Sequence, residues 1–170
     1  MVESKLRPRL LGKGRMKILD KQTFTTLVLE SEDTLYRVAW SILRNSADAE
    51  AAVQEAVLRA WEKLNSLRQP QYFRTWLTRI LIRECYRLRR AGSLIIPLEE
   101  LPETAAPDSG EIWRSLQALP EALRLPVVLH YVEGYNVAET GTILRLPAGT
   151  VKSRLCRARS ALRMELEESI

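Results

Sequence analysis

The sequence predicts an all-α protein with two small helical domains joined by a flexible acidic linker, the C-terminal one a helix-turn-helix. Three observations carry that expectation. Apolar residues recur at helical spacing from about Phe24 onward. Periodicity is lost over 91–111, where Gly92, Pro97, Pro102, Pro107 and Gly110 forbid a long helix. A short helical segment, a tight turn and a long basic helical segment then follow within 137–166.

The first domain is expected over 16–90. Residues 1–15 contain Pro8, Gly12 and Gly14 without periodicity and read as a disordered basic tail, with Met16 a natural start. From Phe24 a first helix sets Leu35, Val38, Ala39, Ile42 and Leu43 on one face. Asn45 or Ser46 caps a second, with Asp48 and Glu50 in the first turn, where the helix dipole favours acids. That helix is expected to bury Val53, Val57, Ala60, Trp61 and Leu64. Asp48, Ala51, Glu55, Arg59 and Glu62 then turn outward, with Gln54 and Leu58 on the flank. Gln69-Pro70 breaks the run. A third helix over 72–90 places Phe73, Trp76, Leu77, Ile80, Leu81 and Leu88 on one side, beside a stripe of Arg79, Arg83, Arg87 and Arg90. Glu84 falls on the apolar side, where a neighbouring arginine is the expected partner.

The linker follows at 91–111, with an apolar patch at Leu94-Ile95-Ile96, and the second domain occupies 112–170. Helical patterning resumes with Trp113, Leu116 and Leu119. Pro120 opens the next helix, Pro126 kinks or restarts it, and Glu133-Gly134 ends it. Residues 137–144 form a short helix and Arg145-Leu146-Pro147 a turn. The final helix carries Val151, Leu155, Ala158 and Leu162 on its packed stripe. Its outer face holds Thr150, Lys152, Ser153, Cys156 and Arg157, bordered by Arg154, Arg159 and Arg163. A short helix, tight turn and longer basic helix suit insertion into a major groove. The plainer alternative is a basic surface helix of an ordinary bundle.

Charge supports a polyanionic partner. The net charge is +5, but residues 72–90 carry six arginines against Glu84, and 145–163 carry six basic residues and no acid. Between them, 91–111 carries five acids and no base. Two basic blocks around an acidic spacer suggest two contacts with nucleic acid, although solvated helix faces would look the same. Other classes are excluded more firmly. No run approaches the ~20 apolar residues of a bilayer span, so no membrane insertion is expected. The N-terminus lacks a signal-peptide apolar core. Cys85 and Cys156 make no disulfide framework, and with His130 alone they make no zinc site. A cytoplasmic protein without cofactor or metal is expected. A nuclease needs clustered carboxylates or metal ligands, and the acids here lie in the linker or on helix exteriors.

The stretch from Pro147-Ala148-Gly149-Thr150-Val151-Lys152 through Ser153-Arg154-Leu155-Cys156-Arg157-Ala158-Arg159 resembles the recognition-helix signature of extracytoplasmic-function sigma factors of the sigma-70 family. Asp48-Ala49-Glu50, Val53-Gln54-Glu55 and Ala60-Trp61 resemble that family's polymerase-binding helix. Arg74-Thr75-Trp76-Leu77-Thr78-Arg79-Ile80 resembles the start of its promoter-melting helix. The resemblance spans about 24–166 in order. It departs at Ala51, where an acid is common, at Arg83 and Arg87, where Asn and Asp are common, and at Val137, Thr140 and Gly141, where Tyr, Ile and Ala are usual.

The resemblance implies a non-enzymatic transcription initiation factor. Its partners would be core RNA polymerase, promoter DNA and an anti-sigma factor. Asp48, Gln54, Glu55 and Leu58 would meet the polymerase. Tyr72, Arg79, Arg83, Tyr86, Arg87 and Arg90 would meet the minus-ten element, where opened bases stack on aromatic and arginine side chains. Thr150, Lys152, Ser153, Arg154, Cys156, Arg157 and Arg159 would meet the minus-thirty-five element. The alternative is an autonomous helix-turn-helix regulator that binds DNA as a dimer. The tail is expected to be dispensable. Residues 1–15 hold five basic and one acidic residue, so a chain beginning at Met16 carries +1. That chain should keep promoter-specific initiation and lose nonspecific DNA affinity in a filter-binding assay; loss of initiation would assign the tail a function.

Overall fold

A computed structural model describes residues 19–92 and 110–168. The expected basic tail, most of the linker and the Leu94-Ile95-Ile96 patch lie outside the described residues. Among the described residues the secondary structure is helical throughout, in seven α-helices with short 3-10 and π-type turns between them.

Helix α1 spans Lys21–Leu43 and begins where the Asp20 carboxylate accepts the Thr23 amide at 2.7 Å. That bond holds the Asp20 carboxyl below its ordinary pKa. Arg44, in the left-handed region at φ 55°, ends the helix. Helix α2 spans Ser46–Glu62 and is capped by Asn45, whose side chain accepts the Asp48 amide. Two 3-10 turns, Leu64–Ser66 and Pro70–Tyr72, lead into α3, Phe73–Gly92.

The face α2 buries differs from the expected one. Its buried stripe is Ala49, Ala52, Ala56 and Ala60, while Val53, Val57 and Trp61 are only partly covered. Small side chains let α2 approach α1 and α3 closely, and the larger ones close the edges of that contact. Consequently Glu55 and Arg59 do not point into solvent. They turn toward α3, where the buried Glu84 carboxylate pairs with Arg59 Nε at 2.7 Å and Arg87 Nε at 2.7 Å. Glu55 completes a four-membered network with Arg59 at 3.2 Å and Arg87 at 3.6 Å. The acid on the apolar side thus has two arginine partners, one from each helix.

Helix α3 is buried on two sides. Phe73, Leu77, Ile80 and Leu81 pack as expected, but Thr78, Ile82 and Cys85 are buried as well, and Trp76 and Leu88 are only partly covered. The second covering layer is the C-terminal half of the chain. Helix α4, Glu111–Ala118, places Trp113 edge-on against Trp40 of α1 at 6.1 Å. Helix α5, Glu121–Val127, follows Pro120. Pro126 has no N–H to close the helical ladder, and the chain widens into a π-type turn at Val128–Val132. Gly134, at φ 75°, then reverses direction. Helix α6, Val137–Leu144, opens on a reciprocal capping box between Asn136 and Glu139 and ends at Arg145, φ 56°. Helix α7 spans Ala148–Glu168.

The two halves share one apolar core and a set of polar contacts. Glu133 lies at their seam with its side chain 1% exposed, and its carboxylate accepts Arg37 Nε at 2.6 Å and Arg37 Nη2 at 3.0 Å. Arg74 donates to the Glu133 carbonyl at 2.7 Å and lies over the Tyr135 ring at 4.3 Å. The Tyr135 hydroxyl meets Thr78 Oγ1 at 2.8 Å. Burial pushes the Tyr135 phenol up.

Gly141 is required by packing. A methyl group there would stand 2.7 Å from the Leu146 carbonyl oxygen in the following turn. Helix propensity alone favours Ala over Gly by about 1 kcal/mol, whereas overpacking against backbone costs about 1–3 kcal/mol. Gly141→Ala should therefore lower the thermal midpoint of unfolding; a raised midpoint would show that the turn yields.

Candidate nucleic-acid interface

The capping box and the left-handed Arg145 fix α6 at both ends, so the angle between α6 and α7 is set by local geometry. Val151, Leu155 and Ala158 of α7 are buried, which turns Lys152, Ser153, Cys156 and Arg157 to solvent on one face. These four lie on the outer face the helical periodicity assigns them. Thr150, in the first turn, is half-covered. Its amide donates to the Pro147 carbonyl at 3.0 Å.

Two bordering arginines have partners inside the protein. Arg154 is half-buried and its Nη1 reaches the Ala122 carbonyl at 3.5 Å, the acceptor whose helical donor Pro126 cannot supply. Arg159 Nη1 donates to the exposed Tyr131 hydroxyl at 2.7 Å, a bond that raises the guanidinium pKa. Both side chains are therefore oriented by α5 and the π-type turn behind them, which helical spacing on α7 alone does not reveal.

The arginine stripe of α3 divides in the same way. Arg83 and Arg90 are exposed. Arg87 is exposed but holds Glu84 and Glu55. Partial burial, with Arg145 and Arg79 nearby, lowers the pKa of Arg83. Arg79 lines a small cleft of about 230 Å³ with Lys63, Ser66, Trp76, Ile80 and Arg83, where the Trp76 indole donates to Ser66 Oγ at 3.2 Å. Three cations and an aromatic wall suit a phosphate and a base. Tyr72 is exposed and lines a larger groove of about 580 Å³ between the 3-10 turns and α6. Tyr86 is half-buried, and its hydroxyl donates to Glu121 Oε1 at 3.1 Å. Burial and the Glu121 charge push its phenol up to about 12. Arg89, beside it, pairs with the same carboxylate. Burial alone would raise the Glu121 carboxyl, but Arg89 and Tyr86 hold it below its ordinary value.

On α2, Asp48 and Gln54 are exposed and Leu58 is 61% exposed. Glu55 stands apart from them in the network with Arg59 and Arg87. Among the described residues no group of three His, Cys, Asp or Glu is placed to hold a metal, and no helix is long and apolar enough to cross a membrane.

A basic helix presented on a tight turn, with its outer side free of acids from Ala148 to Arg163, defines a helix-turn-helix protein of the DNA-binding class. Comparison with known proteins is more specific. The Sigma-70 region 2 family model matches residues 27–94 and the Sigma-70 region 4 model matches 109–162. The chain is 32% identical over 171 residues to the ECF RNA polymerase sigma factor SigW of Bacillus subtilis, covering 88% of this chain and 91% of that one. It is 36% identical over 150 residues to SigM of Mycobacterium tuberculosis, covering 84% and 76%. Among solved structures, the sigma factor RpoE in complex with the anti-sigma factor NepR from Bartonella quintana superposes with a TM-score of 0.73. It is 25% identical, with 86% of this chain and 98% of that one covered. CnrH in complex with the cytosolic domain of CnrY gives 0.68 at 28% identity, covering 89% and 92%. The chain belongs to the extracytoplasmic-function RNA polymerase sigma factors.

The two thiols differ sharply. Burial pushes Cys85 up to about 12, whereas Cys156 is exposed on α7. Thiolate is the reactive form. Iodoacetamide at pH 8 should label Cys156 alone in the folded chain, and Cys85 only after denaturation, as read by peptide mass. A second adduct on folded protein would show that α3 opens.

Proposed function

We propose that the chain directs core RNA polymerase to a promoter by three surfaces. They lie in an N-terminal unit at 16–90 and a C-terminal unit at 112–170, joined by the acidic stretch 91–111. The exposed α2 face of Asp48, Gln54 and Leu58 docks on the polymerase, with Glu55 holding Arg59 and Arg87 beneath it. The α3 face, through Tyr72, Arg79, Arg83, Tyr86, Arg87 and Arg90, takes the opened minus-ten strand. The outer face of α7 reads the minus-thirty-five duplex. Lys152, Ser153, Cys156 and Arg157 face the bases, and Thr150, Arg154 and Arg159 stand at the edges. The protein works in the cytoplasm without chemistry of its own. The RpoE and CnrH structures are complexes with anti-sigma proteins, which supports an anti-sigma factor as a partner here.

The observation that carries this reading is the outer face of α7, free of acids from Ala148 to Arg163 and held at a fixed angle by a packed turn. Lys and Arg reach guanine edges or phosphates, and a small thiol can meet a thymine methyl. Arg157 lies mid-face, while Arg163 lies near the distal end.

Run-off transcription with core polymerase on a library varied at every upstream base tests it. Arg157→Ala should lower initiation and relax preference at one or two base pairs, by about 1–3 kcal/mol of discrimination. Arg163→Ala should weaken all sequences evenly and reduce salt dependence. An unchanged base profile for Arg157→Ala would refute its assignment as a base reader. Promoter binding by a dimer without core polymerase would favour the autonomous regulator.

A further inference from the structure

Two exposed arginines of α3 are tied to carboxylates: Arg87 holds Glu84 and Glu55, and Arg89 holds Glu121. Arg159 of α7 is held differently, because its Nη1 donates to the hydroxyl of Tyr131 at 2.7 Å. A carboxylate offsets the attraction of a guanidinium for a polyanion, whereas a neutral hydroxyl orients it and leaves its charge whole. The turn that carries Tyr131 turns it outward. Pro126 cannot donate to the helical ladder, and beyond it the Glu133 amide closes on the Val128 carbonyl, five residues back, at 2.9 Å. Val128 and Leu129 remain buried there, while Tyr131 is 51% exposed. Its ring stands edge-on to His130 with centroids 4.8 Å apart, and His130 Nδ1 lies 2.7 Å from the Tyr135 carbonyl oxygen. An aromatic side chain braced in this way gives Arg159 a fixed point to bond.

Arg159 follows Lys152 by seven residues and Cys156 by three, and precedes Arg163 by four. These spacings put the four exposed side chains on one side of α7. Arg159 thus stands where the residues proposed to face bases give way to the proposed phosphate contact. The Tyr131 hydroxyl accepts from Arg159 and so keeps its own proton to donate, and the guanidinium keeps further N–H groups. Phosphate oxygens at duplex surfaces take donors of both kinds, tyrosine and arginine.

We propose that Tyr131 and Arg159 form one phosphate-binding pair on the backbone of the promoter duplex, in which Tyr131, from outside the helix-turn-helix, positions the guanidinium and donates its hydroxyl to the same phosphate. The inference rests on the proposed function for the presence of duplex against α7. It adds to the surface a contact residue that no spacing along α7 announces. The same bond also ties the π-type turn to α7, so the test must tell a phosphate contact from a structural tie. A structural tie weakens every backbone contact evenly, whereas a phosphate pair answers to one linkage.

The experiment uses core polymerase reconstituted with the full chain, and a duplex from the run-off library on which the parent chain initiates. Methylphosphonate linkages, each of which removes one backbone charge, are placed singly through the upstream element, and affinity is read by filter binding. The parent is compared with Tyr131→Phe, Arg159→Ala and the double variant. Tyr131→Phe keeps the ring against His130 and removes the hydroxyl alone. Circular dichroism and the thermal midpoint check that the fold is kept. Should Tyr131→Phe lose helix, the decision passes to Arg159→Lys, which keeps the charge without the planar fork that spans hydroxyl and phosphate.

At one linkage the neutral substitution should weaken the parent about tenfold, the effect of losing a hydrogen bond to a charged group. The same linkage should cost Arg159→Ala nothing, and Tyr131→Phe or Arg159→Lys an intermediate factor. On the unmodified duplex, the double variant should lose less affinity than the product of the two single losses. A Tyr131→Phe linkage profile that matches the parent's would overturn the pair, as would single losses that simply multiply. A loss spread evenly over all linkages would overturn it too, by reducing the bond to a structural tie. Relaxed base preference in the library for either single variant would make the pair a base reader and overturn its assignment to phosphate. If the parent initiates from no member of the library, the proposed function fails and the pair with it. If the parent initiates and no linkage is relieved by either variant, the pair fails alone.

Discussion

Helix α3 must be covered on two sides at once, and most of the architecture answers that requirement. One side presents Phe73, Leu77 and Leu81, which α1 and α2 cover through Phe24, Val38 and the alanine stripe. Phe24 stands edge-on to both Trp61 and Phe73, at 5.0 and 5.6 Å, and so ties all three helices. The other side presents Arg74 and Thr78, polar groups that a purely apolar lid would strand without partners. The C-terminal half supplies Tyr135 and the Glu133 carbonyl. Its docking is therefore chemically specified, and the recognition helix acquires a fixed relation to α3 in this state.

The all-α class, the order of the helices and the helix-turn-helix were legible because each rests on local signals. Asn45 is a side-chain cap, Pro120 is the residue before α5, and Gly134 marks a positive φ, whereas the caps at Asp20 and Asn136 were not read from the sequence. The outer face of α7 was legible for the same reason, since its buried stripe keeps strict helical spacing. What escaped were features made by contact between distant segments. A helix wheel gives Val53 and Val57 of α2 to the core because they are large and apolar, whereas close helix approach selects the alanines beside them. Thr78 looks like a surface residue until Tyr135, 57 positions away, meets its hydroxyl. The partners of Arg154 and Arg159 lie in α5 and the π-type turn, and no spacing rule along α7 announces them.

Charged residues here serve two ends. The network of Glu55, Arg59, Glu84 and Arg87 runs from the proposed polymerase face on α2 to the arginine stripe on α3. A buried carboxylate between two guanidiniums orients both, and each arginine keeps part of its fork toward solvent. The departure from the family's usual residue at Arg87 is intelligible in this light. An acid there would stand beside Glu84 and Glu55, whereas arginine closes the network. Arg87 thus answers to Glu55 of α2 and to Glu84 of its own helix.

The close approach of Gly141 to the Leu146 carbonyl has a consequence for how finely promoter sequence can be discriminated. Helix α7 has 21 residues, so at 1.5 Å per residue it is a lever roughly 30 Å long. A rotation of about 5° at its turn would sweep the far end by about 3 Å, beyond the few tenths of an ångström that a good hydrogen bond tolerates. The side chains proposed to read bases, near the pivot, would shift less than the proposed phosphate contact near the tip. The missing methyl group at position 141 therefore acts as a mechanical tolerance. It limits the angle α7 can take, and with it, if α7 reads the duplex as proposed, how sharply one base pair can be told from the next.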